Sequence, residues 1–285
     1  MIVEKVRTAD YTSFGIGGEA DMFNVRNEAE LLEAINFAKK SNKKIHVLGE
    51  GTNTIFSNDL DEILIIRLVM KGIESKEAGD YVLVTAAAGA NWDELVSRTV
   101  TDGLWGIENL SLIPGTVGAA PVQNIGAYGV EAKDVIDAVY VYDIDLDRFY
   151  YMTNAECKFG YRDSIFKRQK DRFVILKVVF KLSKAAKPVL TYKPLDSLLS
   201  KDGVSQAQIR DLVIKTRQEK LPDYKVYKNA GSFFKNVVIG REELDVLLRA
   251  YPDAPFHKFE DRYKVPTAWL IEHVASMKGV REGNV

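Results

Sequence analysis

The side chains able to do chemistry in this sequence are few. Arg162 follows Gly160 and Tyr161 and carries a planar, permanently charged fork that suits a carboxylate or phosphate; in a solvated loop the same residue makes only a surface ion pair. Ser232 stands between Gly231 and Phe233, with no histidine or acid close by in sequence to activate it, so it is a turn serine unless folding supplies a partner. Lys220 and Lys235 read as solvated charges and Tyr192 as a loop aromatic. The densest signal lies in the backbone. Ile113 to Gly129 packs four glycines, three alanines and two prolines into one stretch, so little side chain stands between its backbone and a neighbour. A helix opening near Thr116, after Pro114, would aim unpaired N–H groups at an anion. The stretch reads as a cradle for a large, flat, phosphorylated cofactor, although a glycine-rich surface loop has the same composition. A shorter stretch, Gly49-Glu50-Gly51-Thr52-Asn53, ends a predicted strand and suits phosphate contact through N–H groups. It lacks the full Gly-x-Gly-x-x-Gly spacing of a Rossmann motif. Glu50 cannot face a pyrophosphate without repulsion, so its side chain is expected to turn away or bond to backbone.

The elements that must position these residues follow from local patterns. Asn27 caps a helix with Glu30 completing a capping box, and Leu31, Ile35 and Ala38 form its apolar stripe. Strands are predicted over Ala20–Val25, Lys44–Leu48 and the very apolar Ile63–Ile66, which belongs inside a sheet. A second region opens with a strand over Tyr81–Ala88 and a helix capped by Asn91, burying Trp92, Leu95, Val96 and Thr99. Beyond the cradle come strands over Val135–Tyr142, Arg148–Met152 and Phe173–Leu182, the last placing Val174, Leu176, Val178, Phe180 and Leu182 on one face. Thr153 to Glu156 reads as a capping box opening a short helix. Later helices are predicted over Ser205–Glu219, Arg241–Ala250 and Thr267–Lys278. The pattern is α+β.

Bulk composition narrows the function classes. The 285 residues are 46% hydrophobic and 28% charged with a net charge of -1, an ordinary globular balance that disfavours nucleic acid as a partner. One cysteine, Cys157, precludes an internal disulfide and fits a reducing cytoplasm. His46, His257 and His273 share no metal-ligand spacing, so no metal is expected. No signal peptide or membrane span is legible.

Taken together, Thr-Ser-Phe-Gly-Ile-Gly-Gly (12–18), Leu-Gly-Glu-Gly-Thr-Asn (48–53), the run from Gly106 to Gly129, Phe-Gly-Tyr-Arg-Asp-Ser-Ile-Phe-Lys (159–167), Lys-Leu-Pro-Asp (220–223) and Asn-Ala-Gly-Ser-Phe-Phe-Lys-Asn (229–236) resemble the UDP-N-acetylenolpyruvoylglucosamine reductase family, in order and over nearly the whole chain. Leu-Thr-Tyr-Lys-Pro-Leu (190–195) resembles the subgroup that folds a tyrosine loop over its substrate.

The resemblance implies an α+β, two-subdomain FAD-binding fold of the vanillyl-alcohol-oxidase type, with residues 1–71 and 72–221 as the subdomains and 222–285 as a substrate-binding domain. It implies non-covalent FAD held by Gly49, Glu50, Gly51, Thr52 and Asn53 and by Pro114, Gly115, Thr116, Gly118, Ala119, Ala120, Asn124, Gly126 and Ala127. NADPH is the implied co-substrate, and Tyr128, Tyr192, Lys220 and Asn236 the implied contacts to the UDP-sugar. Arg162 is the implied stabiliser of charge on the reacting enolpyruvyl group and Ser232 its proton donor, in a cytoplasmic, monomeric enzyme of peptidoglycan precursor synthesis. The family's third catalytic residue, a glutamate, falls in a segment beyond the helix expected over Thr267–Lys278, so the chain is expected to be C-terminally truncated, with FAD bound and turnover depressed. Another FAD-dependent oxidoreductase of this fold, or a non-catalytic FAD- or UDP-sugar-binding fragment, are the alternatives.

Overall fold

The computed structural model describes residues 2–200 and 203–281. The chain divides into two compact units, Met1–Ala230 and Gly231–Val285.

The first unit carries two larger sheets. One contains β1 (Glu4–Arg7), β2 (Glu19–Val25), β3 (Lys44–Leu48) and β4 (Ile63–Leu68) in the order β1-β2-β4-β3, with β4 parallel to both β2 and β3. The apolar run 63–66 thus sits inside the sheet, as its composition requires. Helix α1 (Glu28–Lys40) crosses from β2 to β3. Asn27 caps it by accepting from the Glu30 N–H at 2.9 Å, and Leu31, Ala34, Ile35 and Ala38 are its buried face.

The second sheet contains β5 (Ile73–Ala78), β6 (Tyr81–Ala87), β9 (Ile136–Asp143), β10 (Arg148–Thr153) and β11 (Phe173–Ser183), antiparallel throughout, in the order β10-β9-β11-β6-β5. Helix α2 (Trp92–Thr101) follows β6, and its buried residues are the expected Trp92, Leu95, Val96 and Thr99. A two-stranded ribbon, β7 (Gly126–Ala127) and β8 (Val130–Glu131), ends the cradle stretch. Helices α3 (Ile165–Arg168) and α4 (Gln206–Lys220) complete the unit.

Strand β11 corrects an expectation. Register shifts lie between Ile175 and Lys177 and between Val179 and Phe180. A bulge inserts an unpaired residue and reverses which side chains face a given side. Val174 and Leu176 therefore join the core formed by α1, β2 and β4, whereas Ile175, Val178, Phe180 and Leu182 join the core under α2. One strand serves two cores, and its apolar residues do not share a single face. The Thr153–Glu156 box is also made, with Glu156 accepting from the Thr153 N–H at 2.7 Å, but it closes a turn and not a helix.

The second unit holds a three-stranded antiparallel sheet of β12 (Val237–Ile239), β13 (His257–Phe259) and β14 (Arg262–Val265) in the order β12-β14-β13, with α5 (Arg241–Ala250). The final predicted helix is shorter than expected: α6 (Thr267–Trp269) runs into a π-helical turn over Leu270–Val274. The end of the tail, 282–285, lies outside the described residues.

Candidate active site

The two glycine-rich stretches come together around a cavity of about 560 Å³ in the first unit. Gly49 to Thr54 form one rim and Ile113 to Gln123 much of another, with Ile45 to Leu48 of β3 and Phe173 and Ile175 of β11 also in the lining.

Glu50 ties the rims together. Its carboxylate accepts from the Gly115 N–H at 3.1 Å and from Asn91 Nδ2 at 3.0 Å. Bonds to an ionised acceptor are roughly twice as strong as neutral ones, so this side chain fixes one stretch against the other. Asn53 adds a longer link to Gln123, and Thr52 Oγ1 one to the Pro114 carbonyl. The glycines are dictated by proximity. A Cβ on Gly49 would sit 2.8 Å from Thr116 Oγ1, and one on Gly51, whose φ is +63°, would sit 1.9 Å from the Tyr11 carbonyl oxygen. The rim therefore keeps its amides available: among the described residues, the N–H groups of Glu50, Gly51, Thr52 and Asn53 have no protein hydrogen-bond partner. Successive unpaired amides of this kind make an anion-binding concavity.

The expected helix at Thr116 is not formed. Val117–Ala119 is one 3-10 turn. Its first amides are already spent: Val117 donates to the Ala90 carbonyl and Gly118 to that of Ala88, both at 2.9 Å. Gly118 packs against Ala88, where a Cβ would come within 2.6 Å of the alanine methyl. Gly118 is required because this part of the stretch lies against the turn that follows β6, and its own 3-10 turn offers no helix terminus to an anion. Ala119 and Ala120 line the cavity with Gly115 and Thr116.

The rest of the stretch does different work. Asn124 is fully buried; its Nδ2 donates to Glu131 Oε2 at 2.9 Å and to the Gly160 carbonyl at 3.0 Å, and its Oδ1 accepts from the Lys133 N–H at 2.9 Å. That side chain is saturated by protein and anchors the turn carrying Arg162. Gly126 touches Arg162 directly: Nη2 donates to its carbonyl at 2.5 Å, and a Cβ would come within 2.9 Å of Nη1. Arg162 is half-buried, lies over the Tyr161 ring, and has a φ of +53°, a conformation unusual outside glycine. Lys167, a cavity-lining residue, holds the Arg162 carbonyl through Nζ at 3.0 Å. Ala127 sits beside Gly126 in β7. Tyr128, with φ +48°, is half-buried, and burial raises its hydroxyl pKa against the opposing pull of Arg217. Tyr192 packs its ring edge against Gly129, 3.0 Å from where a Cβ would be. Arg162, Gly126, Tyr128 and Tyr192 are thus gathered around the β7–β8 ribbon. Lys220 is exposed at the end of α4.

Ser232 and Asn236 lie in the second unit. Ser232 is exposed between Gly231 and two aromatics that are themselves 65% and 61% exposed, Phe233 and Phe234. Asn236 accepts from the Thr267 N–H at 3.2 Å and so starts α6.

One cavity residue had no motif to announce it. His46 Nε2 is buried in the cavity lining with no partner among the described residues, and the ring packs edge-on to Phe56. Burial lowers its pKa, with Asp171 pulling the other way, so the imidazole is neutral near neutral pH. Only its place on β3, three residues before Gly49, could have hinted at this. Among the described residues no cluster of His, Cys, Asp and Glu could hold a metal ion, and no helix is long and apolar enough to cross a membrane.

The FAD binding domain family matches residues 22–145, which include both rims. Over 265 residues the chain is 43% identical to the UDP-N-acetylenolpyruvoylglucosamine reductase of Cupriavidus pinatubonensis, an alignment covering 92% of this chain and 78% of that one. With the Pseudomonas aeruginosa protein of the same name it shares 40% identity over 281 residues, 96% of this chain and 82% of that one. The chain belongs to the UDP-N-acetylenolpyruvoylglucosamine reductase family. It is an FAD-dependent oxidoreductase of that family's type. The crystal structure of a UDP-N-acetylenolpyruvylglucosamine reductase (MurB) from Thermus caldophilus matches it with a TM-score of 0.59 at 22% identity, covering 99% of this chain and 97% of that one, and shares its fold. The α+β FAD-binding fold expected from the reductase-family motifs is the fold observed.

Proposed function

We propose that this chain reduces UDP-N-acetylglucosamine enolpyruvate to UDP-N-acetylmuramate with NADPH, in the cytoplasm, as a step of peptidoglycan precursor synthesis. The two sheets of the first unit are read as the FAD subdomains and the second unit as substrate-binding. The observation that carries the proposal is the pairing of two glycine-rich rims, locked by Glu50, around a cavity beside the ribbon that holds Arg162.

The residues present fit FAD. The unpartnered amides of 50–53 suit its pyrophosphate, and Gly49, Pro114, Gly115, Thr116, Gly118, Ala119 and Ala120 offer close backbone with little side chain. Glu50, Asn124 and Gly126 are read as shaping this site through the protein bonds described above. When bound, FAD supplies the hydride transfer from NADPH to the enolpyruvyl double bond. Addition of hydride at the vinyl carbon leaves negative charge on the neighbouring carbon and its carboxylate. Arg162 is the residue read as stabilising that charge: its guanidinium is permanently cationic, and its backbone and one nitrogen are already held by Lys167 and Gly126. Fixed charge aimed at developing charge is worth more than a mobile one because no reorganisation is needed. Ser232 is read as donating its hydroxyl proton to that carbon. A serine is a weak acid, but a carbanion-like carbon is a strong base, and a small donor held in contact can serve. Tyr128, Tyr192, Lys220 and Asn236 are read as contacts to the sugar nucleotide.

The purified protein should be yellow and release FAD, not FMN, on denaturation. Arg162→Lys should retain the flavin yet lose turnover, because lysine cannot reproduce the planar fork. A protein that cannot be loaded with FAD, or a silent Arg162→Lys, would overturn the proposal.

A further inference from the structure

The loop that carries Tyr192 is held at both ends. Leu190 and Leu195 are buried with Trp105, Leu198, Ile209 and Val213 in a small core beneath α4. Between these anchors Tyr192 is 39% exposed, with its carbonyl accepting from the Leu195 N–H at 2.7 Å. Four residues lie between the anchors, so the tip has little slack.

One buried side chain joins this loop to the cradle. Asn109 is fully buried, and its Nδ2 donates to two carbonyl oxygens, those of Tyr128 and Val189, each at 2.8 Å. Both protons of the amide are used. Its Oδ1 is buried with no partner among the described residues. An unmatched buried acceptor lowers stability, so packing alone does not account for a carboxamide at this position. What the carboxamide does is bind the base of the tyrosine loop and the turn at the end of the cradle to one another. Gly129 completes the contact: with φ +86° and no side chain, it lets Tyr192 and Val189 approach, a Cβ there lying 3.0 Å from Tyr192 Cδ2 and 3.2 Å from Val189 Cγ1.

We propose that Asn109 is a positioning residue for substrate binding, a latch whose two amide protons tie the base of the Tyr192 loop at Val189 to the turn at Tyr128 in the β7–β8 ribbon. The inference rests on the reading of Tyr192 as a substrate contact. A fixed base leaves less of the loop to be ordered when the sugar nucleotide binds, so the latch acts on substrate affinity and leaves flavin chemistry alone.

The test uses FAD-loaded full chain. Asn109→Asp keeps the shape but sets a carboxylate against two carbonyl oxygens. Hydrogen exchange over 188–195 should accelerate, and KM for the enolpyruvyl sugar nucleotide should rise by about ten- to a hundredfold, the order expected for two ordinary hydrogen bonds. FAD content, flavin reduction by NADPH and kcat should stay near wild type. Gly129→Ala, at an exposed position, should displace Tyr192 and move exchange and KM the same way even if Asn109→Asp folds poorly. Unchanged exchange at 188–195 in both variants would overturn the latch, as would a fall in kcat and flavin reduction as large as the change in KM. The exchange measurement needs no substrate. A wild-type chain that fails to reduce the sugar nucleotide therefore counts against the proposed function, while exchange still decides the latch.

Discussion

The cradle in the first unit and the Gly231–Asn236 stretch in the second are both glycine-marked, and they are built on opposite principles. Cβ atoms at Gly49, Gly51 and Gly118 would all collide, at 2.8, 1.9 and 2.6 Å from their nearest neighbours, whereas one at Gly231 would meet nothing within 4 Å. The cradle is glycine-rich because its backbone is pressed closely by neighbouring backbone and small side chains, and its shape is fixed by Glu50, Asn91 and Asn124. The Gly231 stretch is open, with Ser232, Phe233 and Phe234 exposed and glycine needed only for a φ of +58°. A cofactor site can be prebuilt by packing. On the proposed reading of Ser232 as proton donor, a site that must admit a large substrate is kept open, and its residues are chosen for chemistry.

The widest separation between the regions should appear in Ser232→Ala. It should slow the oxidative half-reaction by about 10²–10⁴-fold, the usual worth of a general acid, while flavin reduction by NADPH in rapid mixing stays near normal. Equal losses in both halves would make Ser232 structural. Next come paired glycine variants. Gly51→Ala should weaken FAD binding by at least about a hundredfold, since strained backbone alone costs on the order of 1–3 kcal/mol and the Tyr11 carbonyl must also move. Gly231→Ala should leave FAD affinity unchanged and cost only about 1 kcal/mol in thermal unfolding, the strain of its φ. Similar FAD losses in the two variants would erase the contrast.

Glu50→Gln keeps the size of the inter-rim link but loses its charge and one acceptor. FAD affinity by fluorescence titration should fall by about ten- to a hundredfold, the order of one hydrogen bond to a charged group. The smallest effect concerns pH. Burial pushes the Asp93 carboxyl up, but the Arg210 guanidinium, bonded at 2.7 and 2.8 Å, and the Leu112 N–H outweigh it, so the pKa lies below the ordinary value. A depressed folded pKa means the unfolded chain binds the proton first as acid is added. The stability from this clasp between α2 and α4 is therefore full above about pH 3.9 and is lost as pH falls through the lower folded value. In acid titrations followed by unfolding, Asp93→Asn should flatten that part of the curve.

The parts of the fold legible in sequence were those written locally. Caps at Asn27 and Asn91 and the helical stripes of α1 and α2 depend on residues three or four apart, and they appear as expected. Strand β5, Ile-Glu-Ser-Lys-Glu-Ala, was missed because an edge strand is guarded by charge and shows no apolar alternation. The bulges in β11 were missed because only its partners reveal them. At the site, the composition of 113–129 announced a cradle, but it could not show that the Thr116 turn spends its amides on the carbonyls of Ala88 and Ala90. Nor could it join Glu50 to Gly115 across 65 positions of sequence, or Asn109 to Val189 across 80.

The most direct test of the account is a double-mixing, anaerobic stopped-flow experiment on the FAD-loaded chain. NADPH should bleach the flavin absorbance, and subsequent mixing with UDP-N-acetylglucosamine enolpyruvate should restore it as UDP-N-acetylmuramate forms. Flavin that is reduced by an alcohol and not by NADPH, or that is reduced by NADPH but not reoxidised by the enolpyruvyl sugar nucleotide, would contradict it.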